Sequence, residues 1–187
     1  MGVSFNPPSQ LGGNPLNPVA IWVQNLIDSL KAAFGLVRSV VPPAVFETGA
    51  VATGSNGNMP SLTDVIPTNT MGDQYMSLTY TPQNAGSTLI IIVIVNYGSS
   101  VASNSVVALY QDATVNALAA VGFNNPSAAP YAVPLNHKMT AGTTSPTIFK
   151  VRIGMDRAGT VTFNGFAGSR ILGGVMASSI IITEILP

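Results

Sequence analysis

The chain contains no cysteine, so it has no disulfide framework, no thiol nucleophile and no thiolate metal site. It is also poor in charge. Only 7% of its 187 residues are Asp, Glu, Lys or Arg, against about 25% in an average soluble domain. Seven basic and seven acidic residues give a formal net charge of 0. Scattered Lys and Arg provide no basic footprint for nucleic acid. A chain that is 47% hydrophobic is no disordered polymer. Long apolar runs are missing too. The longest, Leu89 to Val95, has seven residues where a membrane helix needs about 20. Near-zero net charge favours self-association. The polar character comes from 17 Ser, 16 Thr and 15 Asn, which with 18 Gly and 14 Pro point to many short strands and turns.

Three segments follow from composition: an amino-terminal arm and helix over 1–43, a linker with one short strand over 44–74, and a β domain over 75–187. Residues 1–18 are rich in Pro, Gly and Asn and are expected to be an extended arm lying on a partner, with a flexible tail as the ordinary alternative. Helical spacing begins at Pro18, a residue suited to a first helical turn, after Asn17 as N-cap. Val19, Val23, Leu26, Leu30, Ala33, Val37 and Val40 repeat at spacings of four and three, which predicts one amphipathic helix over 18–41. Its stripe is wider than a dimer seam, which favours three or more strands. The ordinary alternative is packing on its own domain.

From residue 75 onward the pattern is that of strands. Met76, Leu78 and Tyr80 alternate, as do Phe149, Val151 and Ile153. Further strands are expected near 45–51, 87–97, 105–112, 115–123, 135–140, 160–165 and 178–186, with a hairpin at Asp156–Gly159. Short strands at such spacing predict a mainly β, antiparallel jelly-roll sandwich, preceded by the helix and arm. The strand at 87–97 is apolar on both faces and so needs cover on both sides. A sandwich core covers one face only. The other, with Ile90, Ile92, Ile94, Ile180 and Ile182, is expected at a subunit contact, unless the helix covers it.

Catalytic and metal-binding patterns are sparse. His137 is the one histidine, no G-x-S-x-G elbow occurs, and the acids are dispersed singly. The Gly-rich stretch 165–174 has no Lys-Ser/Thr ending and serves as a tight crossing. No catalytic residue, cofactor or metal site is expected. A glycan site would draw on Tyr97, Phe123, Asn124, Asn125 and Tyr131 in loops.

The carboxyl-terminal third carries H-x-M-x-A-G-T-T-S from His137, T-x-F-K-V-R from Thr147, A-G-T-x-T-F-N-G from Ala158 and G-G-V-x-A-S-S-I-x-I-x-E-I from Gly173. These motifs resemble the C-terminal jelly-roll module of phage tail-fibre-like virion proteins. The resemblance implies a non-enzymatic homotrimer on the virion surface. It would be a short fibre or spike whose arm anchors it to connector, tail or capsid, and whose head faces outward, with a host-surface glycan as a candidate receptor. A capsid decoration protein and a free glycan-binding module are the alternatives. Neither nucleic-acid binding nor membrane insertion is expected.

Overall fold

The computed structural model describes residues 18–34, 40–55 and 57–187, with side chains of the first stretch described through Leu30. The chain divides into two units, Met1–Arg38 and Ser39–Pro187.

In the first unit, α1 spans Pro18–Phe34. Pro18 starts it with a preset φ, apolar residues return every three or four positions, and the Gln24 amide donates to the Asp28 carboxylate at 3.0 Å, one turn on. Every described side chain of α1 is exposed, including Val19, Trp22, Val23, Leu26 and Leu30. The expected helix is longer than the observed one. Val40, placed on its seam, instead bridges Ile185, and the Val41 N–H donates to the Glu184 carbonyl at 2.9 Å. Two β-branched residues before Pro42 and Pro43 prefer extended backbone, and a strand partner is there to take it. Val37, Asn17 and the arm lie outside the described residues.

The second unit holds the strands. They are β1 (Ala44–Thr48), β2 (Ala52–Gly54), β3 (Asp73–Tyr80), β4 (Thr88–Ser99), β5 (Ser103–Gln111), β6 (Ala119–Asn125), β7 (Pro130–Thr140), β8 (Thr147–Met155), β9 (Val161–Phe163), β10 (Gly165–Phe166), β11 (Ser169–Arg170) and β12 (Ser178–Ile185). The larger sheet has the order β1-β12-β4-β9-β2, with β7 also on β4. The smaller has the order β3-β8-β5-β6, and β10 and β11 form a separate ribbon. All pairings are antiparallel. Residues 44–54, within the stretch read as a linker, thus supply two strands of the larger sheet. Asp156–Gly159 makes no hairpin: β8 and β9 lie in different sheets, so this turn carries the chain between them.

One apolar core joins the two sheets. Leu89, Ile91, Val93, Val133, Leu135, Ile180 and Ile182 come from the larger; Met76, Leu109, Phe149, Val151 and Ile153 come from the smaller. Period-2 alternation places them there. A second, small cluster of Met59, Val106, Ala108 and Tyr110 lies on the other side of β5. The segment before β3 supplies Met59, and the Met59 N–H donates to the Met155 carbonyl at 3.2 Å. Most of β5 is therefore buried on both faces, as is the short β9. β4, expected to be covered on both, is not: Ile92 and Ile94 remain 37% and 41% exposed.

Candidate functional site

The outer face of the larger sheet is the most distinctive surface of the second unit. Strand register builds it in rows. Val45, Ile181, Ile92 and Asn136 lie side by side across β1, β12, β4 and β7. Glu47, Ser179, Ile94 and Pro134 form the adjoining row, and Ile90 stands beside Thr183 and Lys138 on the other side. The centre of the face is aliphatic. Its rim carries one acid, Glu47, and one base, Lys138, both exposed and neither in an ion pair among the described residues. Scattered apolar residues are ordinary on a surface, but a contiguous patch with a polar rim is the pattern of an interaction site.

The expected contact residues fall on two different faces. Ile90, Ile92 and Ile94 point outward. Ile180 and Ile182 are fully buried in the core, paired in register with Val93 and Ile91. Three successive isoleucines at 180–182 leave the phase of alternation open in the sequence; the pairing with β4 settles it, and Ile181 takes the outward place. In α1, Val19, Val23, Leu26 and Leu30 are exposed together on one helix.

Three of the proposed glycan residues meet, Tyr97 with Tyr131 and with Asn125, but Tyr97 and Asn125 do so inside the fold. Tyr97 has no exposed surface, and its ring packs 5.7 Å from that of Tyr131. Burial raises the Tyr97 hydroxyl pKa. Asn125 is buried as well, donating to Ser105 Oγ. Phe123 is half-buried, Asn124 donates to Asn104 Oδ1 at 2.9 Å, and the Tyr131 hydroxyl donates to the Ser127 carbonyl at 3.0 Å. The residues expected in loops lie on strands, where alternation turns Tyr97 and Asn125 inward.

The ionisable side chains mostly hold backbone. Glu184 has no exposed surface yet is shallowly placed, near the end of β12 under the loop 81–87. The Tyr80 hydroxyl donates to its Oε2 at 2.6 Å, the Gln83 N–H to both oxygens at 3.0 Å and the Asn84 N–H to Oε1 at 3.1 Å. Ser87 Oγ lies beside the carboxylate without a hydrogen bond of full geometry. Burial pushes this carboxyl up, and the surrounding donors more than offset it, so its pKa is lowered. Asp156 shows the same balance. Burial raises it, while Ser61 Oγ at 2.8 Å and Asn104 Nδ2 and N at 2.7 and 3.1 Å lower it by more. Asp112 accepts from Thr147 Oγ1 at 2.6 Å and from the Ile148 N–H at 2.7 Å, and both bonds lower its pKa. His137 sits late in β7, half-buried, and burial lowers its pKa. Among the described residues no three His, Asp or Glu cluster to hold a metal ion, and no helix is long and apolar enough to cross a membrane.

Residues 55–187 match the family model described as the Pgp3 C-terminal domain. The chain belongs to that family. The Pgp3 C-terminal domain begins, in this chain, within the stretch read as a linker, and it takes in every strand from β3 onward. What this family has in common with the resemblance at 137–185 is a β-rich domain, and the match does not single out a phage tail-fibre module. No curated protein sequence matches the chain. Solved structures that share its outline do so distantly. The C-terminal domain of EclA, titled a sugar-binding protein, is 15% identical, covers 71% of this chain and 81% of its own, and has a TM-score of 0.34. Infectious bursal disease virus, Gx strain, gives 15%, 80%, 39% and 0.34. Dimeric latent PorU from Porphyromonas gingivalis gives 6%, 81% and 0.34, and the chain spans 14% of its length. Likeness this distant carries no argument about what the chain does.

Proposed function

We propose that the protein is a non-catalytic, self-assembling surface component of a phage particle: a short homotrimeric fibre or spike with a jelly-roll head and an anchoring arm and helix. The observation that carries this reading is the aliphatic centre of the outer sheet face, Val45, Ile181, Ile92 and Ile94, left open by the chain that builds it. A second copy is the occupant it suits. The chain has no net charge to keep copies apart, and the rim offers Glu47 and Lys138 as complementary partners between subunits. The exposed apolar stripe of α1 supplies a second attachment surface, toward other copies or toward connector, tail or capsid proteins. The commitment of Glu184, Asp112 and Asp156 to loop amides and hydroxyls supports a structural role over hydrolysis. The motif resemblance at 137–185 supports the virion setting.

Light scattering on the full chain tests the assembly. Three copies are expected, and a single copy at working concentration refutes it. Ile92→Asp is expected to dissociate the trimer while the monomer keeps its β circular dichroism, since an unpaired carboxylate buried at a contact costs several kcal/mol. Leu26→Asp and Leu30→Asp act on the helix instead. If they dissociate the trimer and Ile92→Asp does not, the contact is made by α1 and the sheet face is not an interface.

A further inference from the structure

The outer side of the smaller sheet holds a cavity of about 310 Å³, lined by Asn69, Gln74, Tyr110, Ala113, Lys150 and Arg152. Two of the chain's seven basic residues meet here. They stand two apart on β8 and share its outward face, with Gln74 of β3 in register beside Arg152 and Tyr110 of β5 beside Lys150.

The cavity is braced on every side. Arg152 Nε donates to the Met71 carbonyl at 2.8 Å and Nη2 to the Gly72 carbonyl at 2.6 Å. These acceptors are neutral, and among the described residues no carboxylate forms an ion pair with the guanidinium. The Tyr110 hydroxyl donates to the Thr68 carbonyl at 2.9 Å and closes the floor. Asn69 Nδ2 donates to the carbonyls of Ala113 and Thr114, tying the loop before β3 to the turn after β5 and leaving Oδ1 as an acceptor. Among the described residues, Lys150 makes no side-chain hydrogen bond or ion pair, and the Gln74 amide makes no hydrogen bond. Two carboxylates are near. Asp112 is within electrostatic reach of Lys150 but is already engaged by Thr147 and Ile148. Asp73 lies beside Gly54 and Tyr75 and is not part of the lining.

We propose that this cavity binds an acidic saccharide, its carboxylate between Lys150 and Arg152 and its hydroxyls on Asn69 and Gln74. A bare inorganic anion offers Asn69 Oδ1 no donor, as with sulfate, or only the one or two hydroxyls of protonated phosphate, where a sugar ring offers several, and a neutral sugar leaves two cations unused. The volume is at the small end of the ligand-site range, which suits one sugar ring. The site does not rest on the assembly proposed above, because the apolar face belongs to the other sheet.

Titration calorimetry of the full chain with glucuronic acid, glucose and inorganic phosphate tests the proposal. Glucuronic acid is expected to bind with a dissociation constant of about 1 mM, weakening as salt is added, and the other two at least about tenfold more weakly. Lys150→Met leaves no internal partner unpaired, so the fold is expected to stand while glucuronic acid binds about tenfold more weakly. Gln74→Ala, on a different strand, is expected to weaken it several-fold. Glucose binding as tightly as glucuronic acid, an unchanged affinity in Lys150→Met, or no glucuronic acid binding at all overturns the proposal. Phosphate binding as tightly as glucuronic acid overturns the saccharide assignment.

Discussion

Replacing Glu184 with glutamine changes one atom and tests how the last strand is secured. The carboxylate accepts from the Tyr80 hydroxyl and from the amides of Gln83 and Asn84, with no surface exposed to water. Hydrogen bonds to a charged group contribute about 1.5–3 kcal/mol each, and removing one partner of a buried set leaves the others unpaired. The substituted amide keeps one acceptor oxygen but turns an NH2 toward donors. All three contacts lose the negative charge and at least one loses its acceptor, for an expected loss of about 3–5 kcal/mol at neutral pH. In a domain of this size that lowers the melting temperature by roughly 6–20 °C. The sign of the pH dependence follows from the lowered carboxyl pKa. The stabilisation is present above the ordinary value of 4.5 and is lost as pH falls through the lower folded value. Thermal unfolding of wild type and Glu184→Gln across acid pH is the assay. The gap between them is expected to be widest near neutrality and to shrink as pH falls through the lowered folded value, below which wild type carries a proton on the same oxygens. A gap under about 1 kcal/mol at neutral pH, or one unchanged in acid, refutes the reasoning.

Gly98 faces β10 so closely that a Cβ there would lie 2.7 Å from the Gly165 carbonyl oxygen and from Phe166 Cδ2. Gly98→Ala is expected to cost about 1–3 kcal/mol by overcrowding, seen as a lower denaturant midpoint; an unchanged midpoint means the β10–β11 ribbon yields freely. Asp156→Ala releases Ser61 and Asn104 together, and about 1–3 kcal/mol of lost stability is expected, with faster amide hydrogen exchange over residues 58–66. Because the Asp156 pKa is lowered, the wild-type advantage is expected to be full above its ordinary value of 3.8 and to fade as pH falls through the lower folded value, and an advantage that does not change with acid contradicts the assignment.

Most of the strand pattern is legible from alternation alone. Phe149, Val151 and Ile153 lie inward as expected, and the mainly antiparallel β character with one short helix follows from strand spacing and the stripe after Pro18. Where alternation gives no phase, the sequence misleads. The isoleucines at 180–182 cannot reveal which of them face the core until β4 fixes the register, so an outward placement of Ile180 and Ile182 takes the wrong side. Val40 satisfies a heptad and a strand edge equally well, and the partner that decides it, Ile185, is far along the chain. The cavity at Lys150 and Arg152 leaves a faint signal, two cations with period two on a clean strand. What is invisible is the neutral bracing of Arg152 by carbonyls from the loop before β3.

The position of β12 has a consequence for how the protein is made. The last of the twelve strands to be synthesised lies between β1, the first, and β4, the longest, so neither gains this neighbour until residues 178–185 have left the ribosome. Completion of the larger sheet therefore waits on closing one of the longest loops in the chain, a slow step for any β topology. While synthesis continues, the aliphatic edge of β4 is a nascent template for pairing with a neighbouring chain on the same message. A protein whose mature form is proposed to gather in threes spends its first seconds needing to avoid its own copies.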